Sequence, residues 1–217
     1  RPAVHLEKFK GVLQVDGYAG FERLTRNGKV VLAACWAHAR RKFYDAKEAT
    51  GSPIANEALR RIAELYAIEE RIRGSSAEER KAVRTLEMRP LLDDFKSWRG
   101  LQLTKIPGRS GLAEAIRYAL SRWDALSRCV DDGRVELDNN AVERAIRPVA
   151  LGRKNHLFAG SDGGGERWAT VCSLIETAKL NGVEPYTYLA DVLQRMAHGH
   201  PTNRLDELLP WNWQPAA

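Results

Sequence analysis

The sequence predicts an α/β protein that is predominantly helical, and three observations carry the prediction. Two apolar, β-branched runs of strand length, "GVLQVD" at residues 11–16 and "KVVLAAC" at Lys29–Cys35, alternate with helical patterns near the start. From residue 51 to 130 the apolar residues recur every three or four positions, which is the period of helices packed on one another. Beyond residue 160, Gly182 and Pro185 punctuate two further helical patterns. The expected organisation is a small α/β unit at 1–50, an all-helical insertion at 51–130, a return to the α/β unit at 131–182 and a helical cap with a docked tail at 183–217.

The elements follow in order. "GVLQVD" ends in an acid followed by Gly17, as a strand running into a turn does. "YAGFERL" is a short helical turn, and "KVVLAAC" is the second strand. "WAHARRKFYDAKEA" then has a helical pattern, with Trp36, Phe43 and Tyr44 toward one side and Arg40, Arg41 and Lys42 exposed. Strand, helix, strand, helix implies a parallel pair. In the insertion, Ile54, Ala58, Ile62, Leu65, Ile68 and Ile72 form one amphipathic stripe. Ser76 and Glu79 have the spacing of a capping box, and Pro90 is expected to kink or divide the helix that follows. Leu112, Ile116, Leu120, Trp123 and Leu126 continue the helical period. A helix from about Glu166 to Asn181 is expected to stop at Gly182, and Pro185 suits the first turn of another, Tyr186–Met196. Trp211 and Trp213 are expected to dock on the body.

Composition narrows the class. Hydrophobic residues at 44 % and charged residues at 29 % fit a soluble globular chain, and no apolar run is long enough to span a bilayer. With no apolar signal-peptide core at the start, the expected location is cytoplasmic, with no membrane partner. Lys and Arg number 34 against 28 acids, and the net charge of +6 leans toward polyanionic partners. Cys35, Cys129 and Cys172 are too few and too scattered for a disulfide framework and read as reduced thiols. The chain opens on Arg1, so a fragment, a processed product or the tail of a longer reading frame is expected.

Two acids carry the candidate chemistry. Asp16 closes a strand, and ligands of open α/β sheets gather at the carboxyl ends of strands; an Asp-Gly turn is the plain alternative. Glu143 sits in "DNNAVERAIRP". With Asn140 as N-cap it stands at the third helical position, where a capping carboxylate belongs, and Pro148 is expected to stop that helix. The other reading is a catalytic carboxylate. Acids from separate elements suit a pair of Mg²⁺ or Mn²⁺ ions in phosphoryl transfer, because hard cations take oxygen ligands.

The blocks "LQVDGYAGF", "CWAHARRKF", "ELDNNAVERAIRPVALGRKNHLFAGSDGGGER", "SLIETAKLNGVEPYTYL" and "LDELLPWNW", in that order, closely resemble the central and C-terminal parts of the transposase of insertion sequence family sixty-six, a bacterial DDE transposase. The resemblance covers essentially the whole chain, with the helical insertion its least distinctive part. It implies a partial ribonuclease H-like core, with Asp16 matching the second aspartate and Glu143 the glutamate of an Asp, Asp, Glu triad. It also implies two Mg²⁺ (or Mn²⁺) ions, DNA partners in the form of transposon ends and target, and a homo-oligomeric assembly. The first aspartate of the triad would precede residue 1, together with the first three strands. The first strand here would then lack its central neighbour, and an unpartnered strand edge invites association. The chain alone is accordingly expected to bind metal poorly and to lack strand transfer. A catalytically dead remnant that binds DNA or protein is the rival reading.

Arg144, Arg147, Arg153 and Lys154 surround Glu143, and Arg40, Arg41 and Lys42 form a second basic cluster; both are candidate phosphate tracks, with a solvated face as the alternative. Cys35 and His38 form a C-x-x-H pair, which begins a zinc site only if two more ligands join it; the resemblance reads the pair as packing near the site, with Asn139 and Asn140. "GSDGGGER" lacks the Gly-Lys-Ser/Thr ending of a nucleotide-binding loop, so it reads as backbone amides for a DNA phosphate or as a surface loop.

Overall fold

The structure is a computed structural model that describes residues 6–17, 19–26, 28–156 and 160–215, with the backbone alone of residues 19 and 153–156. The chain forms two compact units, Arg1–Asn140 and Ala141–Ala217. Among the described residues no helix is long and apolar enough to cross a membrane.

The first unit opens with β1 (Gly11–Val15), which pairs in parallel with β2 (Val30–Ala34) in the register Gly11 to Val30 through Val15 to Ala34. The parallel pairing was the sequence expectation, and residues 16–29, with a 3₁₀ helix at Ala19–Thr25, supply the crossover. β2 leads through Cys35 into α1 (Trp36–Thr50), which ends at Gly51 in the left-handed region, φ 62°, with its N–H on the Lys47 carbonyl. Trp36 and Phe43 are buried but Tyr44 is exposed, since one residue of helix turns a side chain away from the core stripe.

In α2 (Pro53–Arg71) the predicted stripe is buried: Ala58, Ile62, Leu65 and Ile68 face the core and Ile72 follows them. Ser76 and Glu79 form the predicted capping box at the start of α3 (Ala77–Val83), with Ser76 Oγ 3.3 Å from the Glu79 amide and Glu79 Oε2 3.0 Å from the Ser76 amide. A π-helical turn, Arg84–Met88, then joins α3 to α4 (Arg89–Leu103). Pro90 has no N–H for the carbonyl four residues before it, and the wide turn directly ahead of it is where the helix divides. The continuous pattern expected from Leu112 to Leu126 is instead two helices, α5 (Gly111–Ser121) and α6 (Trp123–Asp131), broken where Arg122 leaves helical geometry at φ −113°, ψ 16°.

Aromatic rings knit these helices together. Trp36 lies edge-on to Trp123 at 5.8 Å between centroids and stacks with Phe95 at 6.3 Å, while the Trp36 indole donates to the Leu126 carbonyl at 2.9 Å. Among the described residues of this unit, two arginines are fully buried. Arg84 is satisfied by both carboxylate oxygens of Glu69 and by the carbonyls of Cys129 and Val135. Arg99 bonds the Phe95 carbonyl through Nε at 3.2 Å, but its Nη1 and Nη2 have no hydrogen-bond partner and lie against the Trp123 and Phe95 rings.

The second unit contains α7 (Asn140–His156), α8 (Asp162–Leu180), α9 (Pro185–Ala197) and a 3₁₀ stretch at Thr202–Leu208. Pro148 does not stop α7, contrary to expectation; the helix continues past it to His156. Only the N–H of one residue is lost, and the flanking turns on either side hold the helix. The glycine-rich stretch differs from its expectation too. Gly163, Gly164 and Gly165 form the first turn of α8, capped by Ser161, rather than a loop ahead of a helix starting at Glu166. Gly182, at φ 70°, ends α8 as predicted, and Pro185 opens α9, capped by Glu184. Ala178, Tyr188, Val192 and Leu208 make a small core. Trp213 docks on it, edge-on to Tyr188 at 5.7 Å with its indole N–H on Asp191 at 2.6 Å, whereas Trp211 is 58 % exposed and does not dock.

Candidate functional site

Asp16 stands exposed at the carboxyl end of β1, directly after buried Val15. The main chain there is held from the helical insertion. Tyr118 of α5 donates its phenol to the Asp16 carbonyl at 3.1 Å, and Arg122 Nη2 donates to the Gly17 carbonyl at 3.3 Å. Gly17 has φ 92°, and a Cβ built on it would lie 2.8 Å from the Tyr118 oxygen and 3.0 Å from Arg122 Nε. The glycine of "VDG" thus serves both the left-handed turn and the close approach of the insertion. Burial raises the Tyr118 phenol above its ordinary value, with the Arg122 charge acting against it, so it stays a donor.

The neighbouring strand end receives the chain on its return from the insertion. Trp36 N–H donates to the Leu137 carbonyl at 3.1 Å, Gln14 Nε2 to the Glu136 carbonyl at 2.9 Å, and Asn139 N–H to Cys35 Sγ at 3.4 Å. Cys35 is buried and its thiol is raised, chiefly by burial, so it is a packing thiol and hydrogen-bond acceptor. Asn140 opens α7 under a carboxylate the sequence reading passed over. Asp138 accepts the Asn140 amide at 3.1 Å and its side-chain amide at 2.8 Å, and the Tyr66 phenol at 3.1 Å. Burial, and then Asp138, raise that phenol. An acid two residues before a helix start is an available capping signal, so Asp138 was open to reading from sequence.

On α1, His38 is half-buried, and Arg40 and Arg41 are exposed, Arg41 paired with Asp45 at 3.0 Å. Among the described residues no group of three His, Cys, Asp or Glu side chains is arranged to hold a metal ion. The carboxylate oxygens of Asp16, in the first unit, and of Glu143, in the second, are of the type that suits Mg²⁺, and no chemical step is assigned to an ion.

In the second unit, Glu143, Arg144 and Arg147 are all exposed on α7, with Glu143 in its first turn, where a carboxylate favours the helix dipole. Arg153 and Lys154 belong to the same helix by backbone, and their side chains lie outside the described residues. At α8 the Gly164 amide is bonded to Ser161 Oγ at 3.1 Å and the Gly165 amide to the Ser161 carbonyl at 3.0 Å. Two of the amides read as phosphate donors are thus already engaged by the cap.

Comparison with known proteins adds the family. The pattern described as "Transposase IS66 family" matches residues 1–167, and that described as "IS66 C-terminal element" matches residues 173–211. The chain is 49 % identical over 217 residues to the uncharacterized protein y4jD of Sinorhizobium fredii (strain NBRC 101917 / NGR234), covering 96 % of this chain and 42 % of that protein. It is 45 % identical over 223 residues to y4qI of the same strain, covering 99 % of this chain and 41 % of that protein. The chain thus spans about two fifths of the length of these curated relatives. No solved structure matches it. Since the first pattern covers well over half of the chain and the second takes up most of the remainder, the chain belongs to the transposase IS66 family.

Proposed function

We propose that these residues are part of a DDE-type DNA transposase with a ribonuclease H-like core, in which Asp16 is the second aspartate and Glu143 the glutamate of the triad. The observation that carries the reading is local to the sheet. The segment entering the Glu143 helix is fastened through Leu137 and Asn139 to the end of β2, and Asp16 follows β1 at the same carboxyl end of the parallel pair. In the intact protein a further carboxylate from outside these residues would complete the set for two Mg²⁺ or Mn²⁺ ions. The reaction would be cleavage at an insertion-sequence end, followed by attack of the freed 3′ hydroxyl on target DNA. Arg144, Arg147, Arg153, Lys154, Arg40 and Arg41 would contact phosphates, which fixes DNA position without specifying sequence. Work on two DNA ends calls for a homo-oligomer.

The test is Mn²⁺-dependent nicking of DNA carrying the element's own ends, using protein expressed from the whole reading frame that contains these residues. Nicking lost in both Asp16→Asn and Glu143→Gln supports the reading, and either variant nicking at the unsubstituted rate sinks it. The second reading is a catalytically dead remnant that serves as a DNA-binding or protein-interaction module. Salt-sensitive DNA binding that ignores Mg²⁺ and both substitutions would favour it.

A further inference from the structure

Lys42, Tyr118 and Arg122 are brought together from α1 and from the α5–α6 junction, immediately beside the main chain of Asp16 and Gly17. Lys42 Nζ lies 4.8 Å and Arg122 Cζ 4.3 Å from the centroid of the Tyr118 ring. Two like charges on one ring repel each other, and a nearby ring face offsets that repulsion only in part. Several other cations of this unit have their own carboxylates, among them Arg41 with Asp45, Arg60 with Glu57 and Glu64, and Arg89 with Asp131. Among the described residues, neither Lys42 nor Arg122 has an acid in ion-pair range.

The cluster is also built in place. The Tyr118 hydroxyl is fixed on the Asp16 carbonyl and Arg122 on the Gly17 carbonyl, with Ser121 Oγ accepting from Arg122 Nη1 at 3.1 Å. An arginine held this way has donors left over for an anion, and a planar guanidinium suits the two free oxygens of a phosphodiester. Lys42 is exposed, with its ammonium over the Tyr118 ring.

We propose that Lys42 and Arg122, set by Tyr118, form a binding site for a DNA phosphodiester next to Asp16. The inference rests on the transposase reading and deepens it, because it assigns part of the DNA contact to the helical insertion. An anion there would neutralise both cations at the strand end where the candidate catalytic acid stands.

The experiment titrates the whole 217-residue chain into a fluorescent duplex oligonucleotide at several salt concentrations. Lys42→Gln and Arg122→Gln are each expected to weaken binding by roughly 3- to 10-fold and to lower the slope of log affinity against log salt by about 0.9, as loss of one phosphate contact does. Arg122→Lys should recover most of the slope, and Arg60→Gln, whose partners are both acids of its own helix, should leave it unchanged. Lys42 is exposed, so Lys42→Gln tests the charge without threatening the fold. An unchanged slope in Lys42→Gln and Arg122→Gln, with weakened binding in Arg144→Gln and Arg147→Gln, overturns the inference and leaves the DNA reading standing. Failure of the unsubstituted chain to bind DNA at low salt overturns both.

Discussion

The phenol of Tyr118 hydrogen-bonds the main-chain carbonyl of Asp16 at 3.1 Å across 102 residues of sequence, so the helical insertion holds the end of the strand that carries the candidate acid. The insertion is therefore structural support for that strand end and not only a decoration on the α/β unit. Gly17 makes the approach possible, because any side chain there would meet Tyr118 and Arg122.

Gly17→Ala should consequently be more harmful than a glycine substitution in an open turn. The new Cβ would lie 2.8 Å from the Tyr118 oxygen on a residue at φ 92°. We expect a loss of about 1–3 kcal/mol in urea unfolding. Gly28→Ala provides the comparison: it also has positive φ, but a Cβ there meets nothing within 4 Å, so it bears the backbone strain alone. Equal losses in the two variants would show that the contact with Tyr118 does not matter.

Glu69→Ala should be among the most destabilising single changes in the first unit. Arg84 is fully buried and gives Nε and Nη2 to the two Glu69 oxygens at 2.9 and 2.7 Å. Without that carboxylate a guanidinium stays in the core uncompensated, which costs about 3–5 kcal/mol. The double change Glu69→Leu with Arg84→Met should cost less than the sum of the two single changes. It would not reach zero, because the Cys129 and Val135 carbonyls lose their donor. Chemical denaturation of the four proteins in the cycle decides this.

Arg99→Met should hold or raise stability by about 1 kcal/mol, since a well-packed apolar side chain often improves on a buried charge. Burial pushes the Arg99 guanidinium down to about 9, while its contacts with the Trp123 and Phe95 rings, at 3.8 and 4.5 Å, act in favour of the charge. A base whose folded pKa is depressed binds fewer protons in the fold than in the unfolded chain at pH values above its folded pKa. The cost of its charge is then fully present below about pH 9 and is relieved as pH rises beyond it. The stability gap between Arg99→Met and the unsubstituted protein should narrow between about pH 9 and 10.5 in parallel denaturation series. A gap that is constant with pH would show that the rings fully compensate the burial.

The three thiols should separate cleanly by reactivity. Cys35 and Cys129 are buried, and burial raises both thiols, Cys129 to about 11, so thiolate is scarce near pH 8. Cys172 is half-exposed on α8. Mass spectrometry after brief iodoacetamide treatment of the folded protein should find the label on Cys172, with the other two labelled only in denaturant. Early labelling of Cys35 would mean that the Asn139 contact at the end of β2 opens readily.

Much of the scaffold was legible in sequence because it depends on neighbours a few residues apart. The Ser76 and Glu79 capping box, the buried stripe from Ala58 to Ile68, and Pro185 in the first turn of α9 all follow from local geometry. The parallel pairing of β1 and β2 also followed, since two apolar runs separated by a crossover have few other options. Local rules failed where a single residue was asked to decide a whole element. Pro148 removes one donor from α7 and the helix carries on, whereas Arg122 carries no breaker signal and yet divides α5 from α6.

The sequence by itself determined the family, the helical character, the parallel strand pair and the positions of Asp16 and Glu143 along their elements. Tertiary structure decided what touches Asp16, which arginines are buried, and which tryptophan docks. Tyr118 and Arg122 meet the strand end only because α5 is laid across it. Arg84 and Arg99 look like any surface cation until the helices close around them. The physical reason is that periodicity and capping report on a chain's nearest neighbours. Burial, cation–ring contact and main-chain hydrogen bonds from distant residues are set by whichever element packs opposite, and spacing along the chain does not encode it.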